Sequence, residues 1–91
     1  MRFSDFAIGL EFWCGAHRWR CTDIGSRVVV AIRIDVADIV EKRRDEIVHR
    51  RLTGQEAEAE GWFSGPPYPV AEVVLDEDDI EGCSLERNPD A

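Results

Sequence analysis

Short runs of alternating apolar and polar residues set the pattern of this chain. Leu10, Phe12 and Cys14 alternate with Glu11 and Trp13, and Trp19 and Cys21 alternate with Arg18, Arg20 and Thr22. A period of two marks a half-buried strand. The two runs flank Gly15-Ala16-His17-Arg18, which suits a four-residue hairpin loop. In that register Cys14 faces Trp19 and Phe12 faces Cys21. One face then carries Leu10, Phe12, Cys14, Trp19 and Cys21. The other carries Glu11, Arg18, Arg20, Thr22 and, against the pattern, Trp13. Val28 to Ile34 predicts a third strand after the turn Asp23 to Arg27, and the three form a meander. Val70 to Leu75 predicts a further strand.

Asp35 to Leu52 admits two readings. As a helix, Val36, Ile39, Val40, Ile47 and Val48 leave a gap where Arg43 and Arg44 face the core. As two strands, the segment closes at a polar tip, Lys42-Arg43-Arg44-Asp45. The hairpin is preferred, as an arm protruding over residues 36–52. Thr53-Gly54-Gln55-Glu56 has the form of a capping box and opens a short helix, which Gly61 stops. Trp62 to Pro69 is a proline-stiffened aromatic loop. Asp76 to Gly82 reads as an acidic turn, and 86–91 as a flexible tail.

Val and Ile total 16 residues against four Leu, which leans the composition toward sheet. The expected fold is mainly β with one short helix. A small SH3-like, strongly bent antiparallel sheet or partly open barrel closes most strand edges in one domain over residues 1–85. The longest uncharged apolar run is Val28 to Ile32, far short of a membrane span. The start of the chain lacks a signal-peptide core, so a cytoplasmic location away from membranes is expected.

Two segments resemble a set of small uncharacterised bacterial proteins associated with mobile elements. The first is Phe12-Trp13-Cys14-Gly15 with Arg18-Trp19-Arg20-Cys21-Thr22-Asp23-Ile24-Gly25. The second is Trp62-Phe63-Ser64-Gly65-Pro66-Pro67-Tyr68 with Val70-Ala71-Glu72 and Asp76-Glu77. The resemblance covers about a third of the chain. It implies no activity and assigns no site residue.

Charge changes the picture more than composition does. The 91 residues carry a net charge of −8. Residues 1–52 hold ten basic and eight acidic side chains, whereas residues 53–91 hold one basic and eleven acidic. The total disfavours direct nucleic-acid binding. The split favours a protein partner, and opposite poles also allow a homodimer.

Candidate chemistry is sparse. Cys14, His17, Cys21 and Cys83 form a weak zinc set, because their spacing departs from paired C-x2-C knuckles. Free thiols are the simpler reading. A diagonal Cys14–Cys21 separation of about 7–8 Å exceeds the disulfide limit of about 7 Å. Cys14 with His17 could imitate a nucleophile and base, but Cys14 points inward while His17 lies on the loop. No nucleophile elbow, P-loop or dinucleotide motif is present. The acidic turn fails as a calcium loop, because Glu81 occupies the position that requires Gly.

These features point to a non-catalytic protein-interaction or regulatory module without a cofactor. Its expected contact residues are the misplaced Trp13, the cationic Arg43 and Arg44, the loop aromatics Trp62 and Tyr68, and the acidic Asp76, Glu77, Asp78 and Asp79. One alternative is an acidic inhibitor that imitates nucleic acid, of anti-restriction or anti-defence type. Another is a small zinc-binding or thiol protein.

Overall fold

In the computed structural model, residues 1–87 are described. A 3-10 turn (Phe3–Asp5) precedes β1 (Glu11–Cys14), β2 (His17–Ile24), β3 (Val29–Arg33), β4 (Val36–Arg43) and β5 (Glu46–Thr53). Then come α1 (Gly54–Ala59), β6 (Glu72–Leu75), α2 (Glu77–Glu81) and β7 (Cys83–Ser84). The chain is mainly β, as its alternation predicts. Five strands form an antiparallel sheet in the order β6-β3-β2-β1-β7, and β4 pairs only with β5. The strands do not close into a barrel. Asn88 to Ala91, most of the expected tail, lie outside the described residues.

The β1–β2 loop has two residues rather than four, with Cys14 opposite His17 and Phe12 opposite Trp19. Gly15 takes φ +63° while Ala16 does not turn positive, the sign pattern of a type II′ turn with Gly first. This is a slip of two residues from the expected register. Side chains alternate with period two, so the slip keeps every residue on its expected face. Glu11 and Arg20 still share one face, and Phe12 and Trp19 the other. A bulge at Thr22 changes this locally. The Thr22 hydroxyl is thereby buried, 3.3 Å from Val30 O and 3.1 Å from Glu72 Oε1.

Both faces of β3 are covered. Val29 and Ala31 join Phe6, Phe12, Cys21, Leu75, Ile80 and Cys83 in a first core. There the Phe6 and Phe12 rings meet edge to face, with centroids 5.0 Å apart. On the opposite face Ile32 joins Ile34, Ala37, Ile39, Leu52, Ala57 and Phe63 in a second core, flanked by Trp62, Tyr68 and Val70.

The hairpin reading of the middle segment holds. β4 and β5 pair from Val36 opposite Thr53 to Arg43 opposite Glu46. The turn is only Arg44-Asp45, with Arg44 at φ 49°, a left-handed conformation unusual for a side chain of its size. At the base, the capping box at Thr53 forms as predicted. Thr53 Oγ1 accepts from Glu56 N at 3.2 Å, and Glu56 Oε1 accepts from Thr53 N at 3.0 Å. Gly61, at φ +83°, follows the helix end.

The acidic turn is instead a second helix. Asp76 Oδ1 accepts from Asp78 N and Asp79 N, and Asp79 Oδ2 accepts from Asp76 N, each at 3.0 Å. Asp at the third helical position thus completes the reciprocal cap that Glu completes at α1. Ile80 then points into the first core.

Gly54 has no room for a side chain. A Cβ there would stand 2.1 Å from Ile34 O and 3.2 Å from Asp35 Cα, both backbone atoms. Gly54→Ala is expected to destabilise by about 1–3 kcal/mol. The same exchange at an unobstructed helical site stabilises by about 0.4–1 kcal/mol. The urea midpoint distinguishes the two signs, and an unchanged or raised midpoint would contradict the close contact.

Candidate interaction surface

The pairing of β4 with β5 sorts the arm into two faces. Ala37, Ile39 and Leu52 are buried and face the second core. Alternation sends Val36, Asp38, Val40 and Lys42 outward, with Ile47, His49 and Arg51 beside them on β5. Val40 lies opposite His49 and Lys42 opposite Ile47, so Val40 and Ile47 are diagonal neighbours. Val40 is 63% exposed and Ile47 64%. This apolar pair is ringed by polar and cationic side chains.

Ion pairs distinguish the base of the arm from its tip. Arg50 lies 3.6 Å from Glu41 and 3.2 Å from Glu60, tying β5 to the end of α1. Arg43 lies 2.8 Å from Glu41, and Arg51 lies 3.5 Å from Asp38. Among the described residues Lys42 and Arg44 have no carboxylate partner within 4.0 Å. The expected cationic finger is therefore smaller than its sequence suggests. Its unpaired charge is Lys42 and Arg44 rather than the full run.

The other expected contact residues are distributed over the molecule. Trp13 shares its sheet face with Glu11, Arg18 and Arg20, as expected. It is half-buried, with the Arg18 guanidinium 5.8 Å and the Arg87 guanidinium 5.6 Å from its ring centroid. Such cation–π contacts occupy the ring within the chain. Trp62 and Tyr68 are half-buried against the second core, and Trp62 Nε1 donates to Glu60 Oε1 at 3.3 Å. A Cβ on Gly65 would meet the Tyr68 ring at 2.7 Å, so the ring lies flat against that glycine. Both aromatics lie against the body of the protein. Asp76 and Asp79 cap α2, while Glu77 is 3.8 Å from Arg27. Backbone hydrogen bonds from Asp79 and Asp78 hold the Asp76 carboxyl below its ordinary range.

The acidic half is committed elsewhere too. Arg20 bonds Glu58 at 2.9 Å and Glu11 at 3.2 Å, and these contacts hold its guanidinium charged against partial burial. Cys14, His17, Cys21 and Cys83 do not converge. Cys21 is buried beside Asp23 O, and His17 Nδ1 is 3.1 Å from Asp35 Oδ2. Cys14 and Cys83 lie together, directly opposed on β1 and β7. Among the described residues no three His, Cys, Asp or Glu side chains form a group able to hold a metal ion. No helix there is long and apolar enough to cross a membrane.

Sequence reasoning missed Val40 and Ile47 as surface residues. The signal was available. Once Ile39 and Leu52 are assigned inward, alternation sends Val40 and Ile47 outward. Val74, 60% exposed on the free edge of β6, was missed for a similar reason. A run of three apolar residues does not reveal which strand ends a sheet.

Asp35 anchors the arm electrostatically. Its carboxylate accepts from Arg33 Nε at 2.5 Å, from Arg33 Nη2 at 3.1 Å, and faces His17. Burial alone would raise its pKa, but the Arg33 and His17 hydrogen bonds overcome this and hold it below the ordinary carboxylate range. A lowered carboxylate pKa contributes stability that is present above the unfolded value of about 3.9. That contribution is lost as pH falls through the folded value. Asp35→Asn is therefore expected to destabilise clearly at pH 6 and much less at pH 2.5. Equal losses in urea midpoint at the two pH values would show that the charge contributes nothing.

No family model, curated protein or solved structure matches this chain.

Proposed function

We propose that the chain is a non-catalytic protein-interaction module that engages its partner through the outer face of the β4–β5 arm. The observation that carries this reading is the exposed pair Val40 and Ile47 on a ribbon that, among the described residues, has no third strand. An apolar centre inside a polar rim is the usual anatomy of a protein contact. Lys42 and Arg44, unpaired among the described residues, add a cationic border, so the complementary partner surface is apolar at its centre and acidic around it.

This reading keeps the interaction module expected from the sequence but shifts its contact surface. Arg43 and Arg44 remain at the arm tip. Trp13, Trp62 and Tyr68 act in support of the body, because each ring already has neighbours within the chain. Imitation of nucleic acid is the weaker reading. Asp76 and Asp79 are bound to backbone amides, Glu56 to Thr53, Glu58 to Arg20 and Glu60 to Arg50. Carboxylates engaged this way do not form a regular outward row.

Photo-cross-linking in the native host tests the arm. A benzophenone amino acid at position 47 is expected to capture a discrete protein adduct, and the same probe at exposed Ser26 is not. Reversing the rim with Lys42→Glu and Arg44→Glu is expected to reduce the adduct several-fold, since rim charges govern encounter. Equal capture from position 26, or an adduct indifferent to the reversal, would reject the arm as the contact surface.

A further inference from the structure

β7 joins the sheet through only two residue pairs, Trp13 opposite Ser84 and Cys14 opposite Cys83. Directly opposed residues on antiparallel strands project to the same face, with Cα atoms about 4.5 or 5.5 Å apart according to the hydrogen-bonding site. Disulfides span Cα separations of about 4.4–6.8 Å. Either kind of site therefore has the Cα separation of a disulfide, and a small approach of the two Cβ atoms, from about 4.5–5.5 Å to about 3.5–4.5 Å, completes the bond. The side chains agree with the register. The Cys14 thiol lies 3.7 Å from Asp79 O, and the Cys83 thiol lies 3.4 Å from the same oxygen. Both thiols are free.

We infer that Cys14 and Cys83 are a reversible redox pair that closes into a disulfide between β1 and β7. This rests on the strand register and is independent of the arm as a contact surface. The third cysteine is a built-in control. Cys21 is 1% exposed, and its thiol lies 3.5 Å from Asp23 O, away from the pair.

The two thiols take different roles. Burial, and then the neighbouring Cys14 thiol, push Cys83 up to about 12. Cys83 is also buried, whereas Cys14 is only half-buried. Cys14 is therefore the attacking group toward a low-molecular-weight disulfide. Its thiolate displaces one thiolate from that oxidant and forms a mixed disulfide. Cys83 then gives up its proton and attacks the Cys14 sulfur, releasing the second small thiol. In sum, two protein thiols and one small disulfide become one protein disulfide and two small thiols, with no other reductant or oxidant.

Closure would tie the C-terminal edge of the sheet to its N-terminal hairpin. α2, which lies between β6 and β7, would be held at both ends. Arg87, four residues past Cys83, would be retained over Trp13. The bond links residues near the two ends of the chain, and long closed loops gain most from such a link.

The test uses the full-length, reduced, folded protein and oxidised glutathione. Trypsin places the three cysteines in separate peptides: residues 3–18, 21–27 and 52–87. The expected product has lost two hydrogens, links 3–18 to 52–87, and leaves 21–27 with a free thiol. Its melting temperature is expected to rise by at least about 8 °C and to return on reduction. Cys21→Ala is expected to keep the link and Cys14→Ala to abolish it. A stable glutathione adduct on Cys14, a link to 21–27, or a disulfide between two chains would overturn the pairing. Peptide mapping of the wild-type protein decides the question even if a cysteine variant fails to fold.

Discussion

The close approach of Gly54 to the β3–β4 corner is the constraint on which the second half of the molecule depends. Gly54 N donates to Asp35 O at 2.9 Å, and its Cα lies too near Ile34 O for any side chain. The chain leaves the sheet at Ile34, travels out and back along the arm, and returns to the same place at Gly54. One hydrogen bond and one missing Cβ thus fix both ends of an excursion of some twenty residues. The cap of α1 is set by the same contact, since Thr53 precedes Gly54 directly. With α1 fixed, Ala57 reaches the second core and Glu58 reaches Arg20.

β3 has an equally central place, for a different reason. Antiparallel sheets of this size commonly bury one face and wet the other. Here the central strand contributes Val29 and Ala31 to one core and Ile32 to the other. Neither core is large, as expected for a chain of 91 residues. The second face is covered only where the arm, α1 and the aromatic loop pack. Beyond that cover it carries Glu11, Arg18, Arg20 and Trp13, whose charges and ring pair with one another.

Much of this was legible in the order of residues, because local chemistry decided it. The β1–β2 faces, the hairpin over residues 36–52, the Thr53 cap and the stop at Gly61 each depend on neighbours no more than 17 positions apart. The two-residue loop was missed because Gly15-Ala16 and Gly15-Ala16-His17-Arg18 give the same alternation. The Asp76 cap was missed because a run of acids reads as a solvated turn, although Asp at its fourth position can serve as Glu does. Contacts between distant segments left no local trace. Nothing near Cys14 indicates that Cys83 faces it, and nothing near Trp13 indicates Arg87. The expected exposure of Trp13 followed from its polar face, but Arg18 on the neighbouring strand and Arg87 from the C-terminal segment both cover the ring.

The arm has a further consequence, in its fluctuations. From Glu41 to Glu46 the ribbon is held by its own ladder, with no third strand among the described residues. A two-stranded hairpin alone is marginal in water. Backbone amides toward the tip therefore exchange with solvent through local opening, while those near Ala37 and Leu52 require disruption of the second core. A molecule seated on Val40 and Ile47 would oppose this opening, and part of its binding free energy would go into ordering the ribbon. If the arm is the contact surface, recognition and rigidity share one pair of strands, and the stiffness of the base sets the affinity available at the tip.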